Sequence, residues 1–254
     1  MNKRILSGLG LVCLALLVAA SAAPLARAQA KQDSLYVYVS NWALPRAQWD
    51  EFSKAVEARR PIFERLVVNG TLVSWGAGAA IVHTADGFTH GNWFYANSLE
   101  NILKANEELS KTALGLPFTS ATKHADLLLR VIAGNGKTAA VSSGFLTVAG
   151  WPVKAGRDQE FEELFRKYFQ PWLDQMVAEG SALRYNLNSE VVHTQAPGFY
   201  ELAVVLRDAA SYDKFHANVR AMLQNPAVPG AIRDAAAVEG HRDILARVIA
   251  YQHK

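Results

Sequence analysis

The chain has 254 residues, with 26 Lys+Arg against 23 Asp+Glu and a single cysteine. Half of it is hydrophobic and 19% charged, a composition that excludes a disordered chain, while one cysteine excludes a disulfide scaffold. The basic excess sits in the first thirty residues, at Lys3, Arg4 and Arg27, and the rest of the chain is balanced at 23 against 23, so no nucleic-acid partner is expected.

The first element in chain order is a leader. Lys3 and Arg4 precede an apolar run from Ile5 to Ala20, followed by Ala26-Arg27-Ala28-Gln29-Ala30. That is the pattern of a secretory signal peptide, assigned to residues 1–28, with cleavage after Ala28 or Ala30 fitting equally well. The apolar run is short for a bilayer span of about 20 residues. No stable membrane anchor is therefore expected, and the mature chain is expected in the periplasm or outside the cell.

The remainder repeats itself. Trp151 follows Trp42 by 109 residues, in matching contexts Val39-Ser40-Asn41-Trp42 and Val148-Ala149-Gly150-Trp151. Val82-His83-Thr84 returns as Val192-His193-Thr194, 110 residues on, and His124-Ala125-Asp126 returns as His241-Arg242-Asp243, 117 residues on. The repeats span 29–134 and 143–254, with Gly134–Ser143 expected as a linker.

Each copy predicts the same elements. A β-rich opening, Leu35–Val39 or Phe145–Ala149, runs toward a tryptophan. A helix follows; in the second copy Phe161, Leu164, Phe165, Tyr168, Phe169 and Trp172 form one apolar stripe. Asn69-Gly70 and Glu179-Gly180 read as helix stops. Two strands then flank a turn, Ala85-Asp86-Gly87 or Ala196-Pro197-Gly198. A second helix starts near Ser98 or Asp208, and a last strand covers Leu127–Ala133 or Ile244–Tyr251. The order βαββαβ is the ferredoxin-like unit, whose sheet leaves one face bare; two such units can cover one another. The predicted fold class is thus α+β, two ferredoxin-like βαββαβ repeats forming an intrachain, pseudo-dimeric α+β barrel.

This arrangement resembles the dimeric α+β barrel superfamily. Within it, Asp208–Arg220 is similar to the second helix of the haem-degrading monooxygenases and their antibiotic-biosynthesis monooxygenase relatives. The resemblance implies haem as a cofactor, with His216 at the place of the iron-ligating histidine and Asn41 loosely matching the group's asparagine. The first copy carries Lys104 where the second has His216, and Leu206 stands where the group has a tryptophan.

The residues that bear chemistry divide in the same way. His124 with Asp126 and His241 with Asp243 recur; each pair reads as an oriented base or ligand, or as a brace for the turn into the last strand. Trp42, Trp151, His83 and His193 stand at predicted strand ends, where they can line a pocket between sheet and helices or pack in the core. The histidines show no metal-binding spacing, so no metal is expected. The leading reading is an exported protein that binds a small apolar or aromatic molecule. A monooxygenase-like oxidoreductase, cofactor-independent or haem-dependent, and an assembly module without a ligand are the alternatives. A monomer and a homo-oligomer are equally open.

Overall fold

The structure, a computed structural model, describes residues 34–83, 87–111, 121, 123–193 and 198–254. The leader and parts of both predicted turns, including Ala85, Asp86, Ala196 and Pro197, lie outside the described residues.

The first half runs β1 (Tyr36–Ala43), α1 (Trp49–Val68), β2 (Ser74–Ala80), β3 (His90–Ala96), α2 (Leu99–Ser110) and β4 (Lys123–Gly136). A short β5 (Ala139–Val141) leads to the second half. There β6 (Phe145–Pro152) precedes α3 (Asp158–Leu164), a π-helical turn (Phe165–Phe169) and α4 (Gln170–Glu179), followed by β7 (Ala182–Glu190), β8 (Phe199–Leu206), α5 (Ala209–Leu223), α6 (Ala227–Ala235) and β9 (Arg242–His253).

Each half orders its strands as the ferredoxin-like unit does, β4-β1-β3-β2 and β9-β6-β8-β7. Antiparallel pairing of β4 with β7 and of β2 with β9 joins the halves at both edges, so the eight long strands close into a barrel. Alternation along each strand then separates two environments. In β8, Tyr200, Leu202, Val204 and Leu206 pack under the helices of the second half, while Val205 joins Val37, Trp93, Tyr95, Leu129 and Tyr251 inside the barrel. A third cluster, around Phe63 stacked on Trp75 at 4.6 Å, fills the space between helices and sheet in the first half.

The expected caps are present. Ser98 and Asp208 accept hydrogen bonds from the Asn101 and Ser211 amides, at 3.2 and 2.8 Å. Gly180 closes α4 in the left-handed conformation, with φ +77°. Pro61 lies inside the unbroken α1, whereas in the second half Pro171 follows the π-helical turn. A proline lacks an amide proton and crowds the carbonyl four residues back, and one extra residue in the turn relieves that crowding.

The expected linker is different. β4 continues to Gly136, and β5 pairs with Tyr251–His253 of β9, on the edge that β6 leaves open after pairing only as far as Arg247. Small side chains at Ala139 and Ala140 let this stretch lie along the barrel, so what composition marks as a loop is sheet. The helix α6 also lies beyond the predicted set: Asn225 accepts from the Ala227 amide at 3.1 Å, and Pro229 falls in the first turn, where a missing amide proton costs nothing.

Candidate functional site

The two halves place a tryptophan at equivalent positions, one residue before the end of β1 and of β6, and then diverge. Trp42 is 3% exposed and packs on Phe52, with ring centroids 6.0 Å apart. The space beside it, bounded by Val56, Phe63 and Ala77, amounts to about 20 Å³. In the second half a cleft of about 310 Å³ lies beside Trp151, under α5 and not under the helix that follows the opening strand. Trp151, Thr147 and Ala149 of β6, Leu202 of β8 and Leu245 of β9 form its floor. Tyr212, Phe215, His216 and Val219 of α5 roof it, and Phe169, carried by the π-helical turn, closes one side.

The polar groups of the cleft gather at one end. His241 stacks on Trp151 with centroids 5.0 Å apart and planes at 17°. Its Nδ1 donates to the Gly150 carbonyl at 3.0 Å, and its Nε2 lies 3.3 Å from the Asp243 carboxylate. Across the cleft, the His216 ring meets Tyr212 edge-on at 4.4 Å. The Tyr212 hydroxyl is shifted up, first by burial and then by the Asp243 and Asp213 carboxylates. The cleft therefore offers an apolar, aromatic bed with two imidazoles and a phenol at its mouth, suited to a planar molecule carrying a hydroxyl or carbonyl.

The recurring His-x-Asp pair of the first half has the same internal geometry. His124 stacks on Trp42 at 5.2 Å with planes at 6°, and its Nε2 lies 3.1 Å from Asp126, which also accepts from the Ser40 hydroxyl. Both pairs thus brace a tryptophan, and the second also borders the cleft. Sequence reasoning grouped His83 and His193 with the tryptophans, and the structure separates them. Exposed His83 lies against Trp49 at 4.9 Å, on the far side of β2's end. His193, also exposed, borders a different surface depression with Arg130, Glu162 and Tyr200. Asn41 points into the barrel and away from His216, because it alternates with the helix-facing Trp42.

A haem in the cleft would find His216 as a nitrogen ligand on α5. Its two carboxylates would need cations, yet neither Lys nor Arg lines the cleft among the described residues, and the charged lining residue is Asp243. The residues present do not fit the group.

No family model matches the chain, and no curated protein does. Among solved structures, a candidate monooxygenase of Fusobacterium nucleatum subsp. nucleatum is similar over 87% of this chain and 95% of its own, with 15% identity and a TM-score of 0.62. A second candidate monooxygenase, of Lactobacillus acidophilus, covers 87% and 96% at 11% identity and a TM-score of 0.58. A mutant chlorite dismutase of Candidatus Nitrospira defluvii covers 84% and 91% at 16% identity and a TM-score of 0.52. What these likenesses share with the chain is the fold, a closed antiparallel barrel with helices outside it. In this chain both ferredoxin-like halves lie in one polypeptide.

The barrel interior holds what the motif reading missed. Arg184, Asn186, Asn188 and Glu190 project inward from β7, and all four are buried. Arg184 donates through Nε to Asn186 Oδ1 at 3.1 Å, lies 3.0 Å from His253 Nε2 through Nη1, and sits 4.7 Å over the Tyr95 ring. On the helix side of the sheet, against Trp49 and Phe52, buried His90 is pushed down to about 4 by burial and then by His83. The period-two run of polar residues from Arg184 to Glu190, alternating with Tyr185 and Leu187, was the available signal.

Proposed function

We propose that this is an exported protein whose second half binds a small apolar or aromatic molecule in the cleft between sheet and helices, held by Trp151, His216 and His241. The observation that carries the reading is the cleft of about 310 Å³ beside Trp151, floored by β6, β8 and β9 and roofed by the aromatic face of α5. Protein interiors are close-packed, so an unfilled space of that size lined by aromatic rings and two imidazoles points to an occupant. Export is supported by the leader pattern of Lys3 to Ala30.

The test is a titration of the purified mature chain with simple phenols and quinols, read by tryptophan fluorescence and thermal shift. Binding is expected in the wild type and is expected to disappear in Leu202→Trp, which fills the cleft floor. No response in the wild type, or an equal response in Leu202→Trp, overturns the reading. Oxygen uptake with the same compounds distinguishes a monooxygenase-like oxidoreductase from a binding protein.

A further inference from the structure

A second cavity lies inside the barrel, on the opposite face of the sheet from the cleft, with a volume of about 100 Å³. Apolar side chains such as Val148, Val205 and Trp93 make most of its wall. A buried water requires about 10–15 Å³ of such space, so the cavity admits a small organic molecule. Two polar groups face it from directly paired positions, Asn188 of β7 and Glu201 of β8. Asn188 is 3% exposed, and its Oδ1 has no hydrogen-bond partner. A buried acceptor left in that state costs about 1–3 kcal/mol, which makes it a strong reason to expect a donor in the cavity.

We propose that the barrel interior is a binding site for a small organic cation, a primary alkylammonium, whose N–H groups are received by the Glu201 carboxylate and Asn188 Oδ1. The charge distribution carries the class of ligand. Neither Lys nor Arg lines the cavity among the described residues, and Arg184, the buried cation of β7, is committed to Asn186 and His253. The titratable groups acting on Glu201 are Glu190 from β7 and Tyr95 from β3, with Arg184 over the Tyr95 ring; β6 contributes Val148 and Gly150 beside it and no charge. His90 pairs with the helix-facing Trp42, and its ring lies against Trp49 and Phe52 on the other face of the sheet. Burial, and then the neighbouring Glu190, raise the Glu201 carboxyl to about 7, the signature of a carboxylate short of positive charge. An ammonium supplies that charge and three donors, and Trp93 offers an aromatic wall. Ala80, Phe88, Thr89 and Ile244 border the cavity at the end of the barrel, where the ligand would enter.

The experiment is calorimetric titration of the full mature protein with propylammonium, and with 1-butanol as a neutral alcohol one heavy atom larger. Wild type is expected to bind propylammonium at pH 8 at least about tenfold more tightly than at pH 5.5, because protonation of Glu201 removes the charge that receives it. Glu201→Gln is expected to lose the same factor at pH 8 and to lose the pH dependence, while 1-butanol binding is unaffected by pH. Equal propylammonium binding in Glu201→Gln, equal affinity for 1-butanol, or no binding by the wild type each overturns the proposal. Should Glu201→Gln fail to fold, Val148→Phe, which fills the cavity, must abolish binding, and retained binding overturns it. Leu202→Trp separates this site from the cleft, since it blocks the other face of β8. Loss of propylammonium binding there would place the cation in the cleft and overturn the proposal.

Discussion

Trp151 and His241 stack face to face at 5.0 Å in the second half, as Trp42 and His124 do at 5.2 Å in the first, and Trp151 and His241 together line the cleft under α5. One contact thus serves packing in one half and shapes a binding surface in the other. His124→Ala is expected to cost about 1 kcal/mol of stability through the lost ring contact and to leave ligand binding alone. His241→Ala is expected to release Trp151 and weaken phenol binding about tenfold at a similar cost in stability. Urea unfolding and fluorescence titration of both variants check this; equal binding losses in the two would show that the asymmetry has no functional meaning.

Stability should depend on pH in a direction set by two buried histidines and the Glu201 carboxyl. Burial, then His83 in one case and Arg184 in the other, lower His90 and His253 from 6.5 to about 4, while Glu201 rises from 4.5 to about 7. Between pH 4.5 and 6.5 the unfolded chain therefore binds two histidine protons that the folded chain does not, and the folded chain keeps one on Glu201. The histidine contribution is complete above pH 6.5 and is lost as pH falls toward 4. The Glu201 contribution is complete below pH 4.5 and is lost as pH rises through 7. The expected result is stability that rises with pH across this window, with a net uptake of about one proton on unfolding. Glu201→Gln should make the rise steeper by about one further proton. Urea midpoints at four pH values measure both slopes, and a slope unchanged by Glu201→Gln would contradict the assignment.

Two glycines should respond in opposite directions to the same substitution. Gly180 holds φ +77° at the end of α4, and a Cβ there would run into the Arg207 guanidinium. Gly230 lies inside α6 with open space where a Cβ would stand. Gly180→Ala is expected to destabilise by about 1 kcal/mol, and Gly230→Ala to stabilise by about 0.5–1 kcal/mol. Chemical denaturation of the pair decides it, and a stabilising Gly180→Ala would remove the left-handed cap from the account.

Much of this architecture is legible in the residues because the chain states it twice. The alternation in β1 and β6, the N-caps Ser98 and Asp208 and the left-handed Gly180 are local features, and local features repeat where a fold repeats. The barrel interior is not legible in the same way. Arg184, Asn186 and Asn188 alternate with apolar residues as a solvent-facing edge would, and only closure of the sheet by β4 with β7 and β2 with β9 turns that face inward. For the cleft, His216 stands out because Lys104 occupies the matching place. The openness of the space around it depends on the volumes of Phe169, Leu202 and Trp151 in three separate elements, which no spacing encodes. His83 and His193 mislead for the same reason: proximity along a strand says nothing about which way its end turns.

Gly76 offers the sharpest test of packing inside the barrel. A Cβ at that position would come closer than about 3 Å to Cζ2 and Cε2 of the Trp93 indole, nearer than van der Waals contact allows. Trp93 is 6% exposed and forms part of the cavity wall, so the ring has one direction in which to yield, into the cavity. Gly76→Ala is expected to destabilise by about 1–3 kcal/mol through overpacking and to alter the near-ultraviolet circular dichroism of the tryptophans. Trp93→Phe in the same background removes the atoms that clash and is expected to recover part of the loss. If Gly76→Ala is silent in both stability and spectrum, or if Trp93→Phe adds its own cost without any recovery, the close approach of that ring to β2 is not what holds the interior in shape.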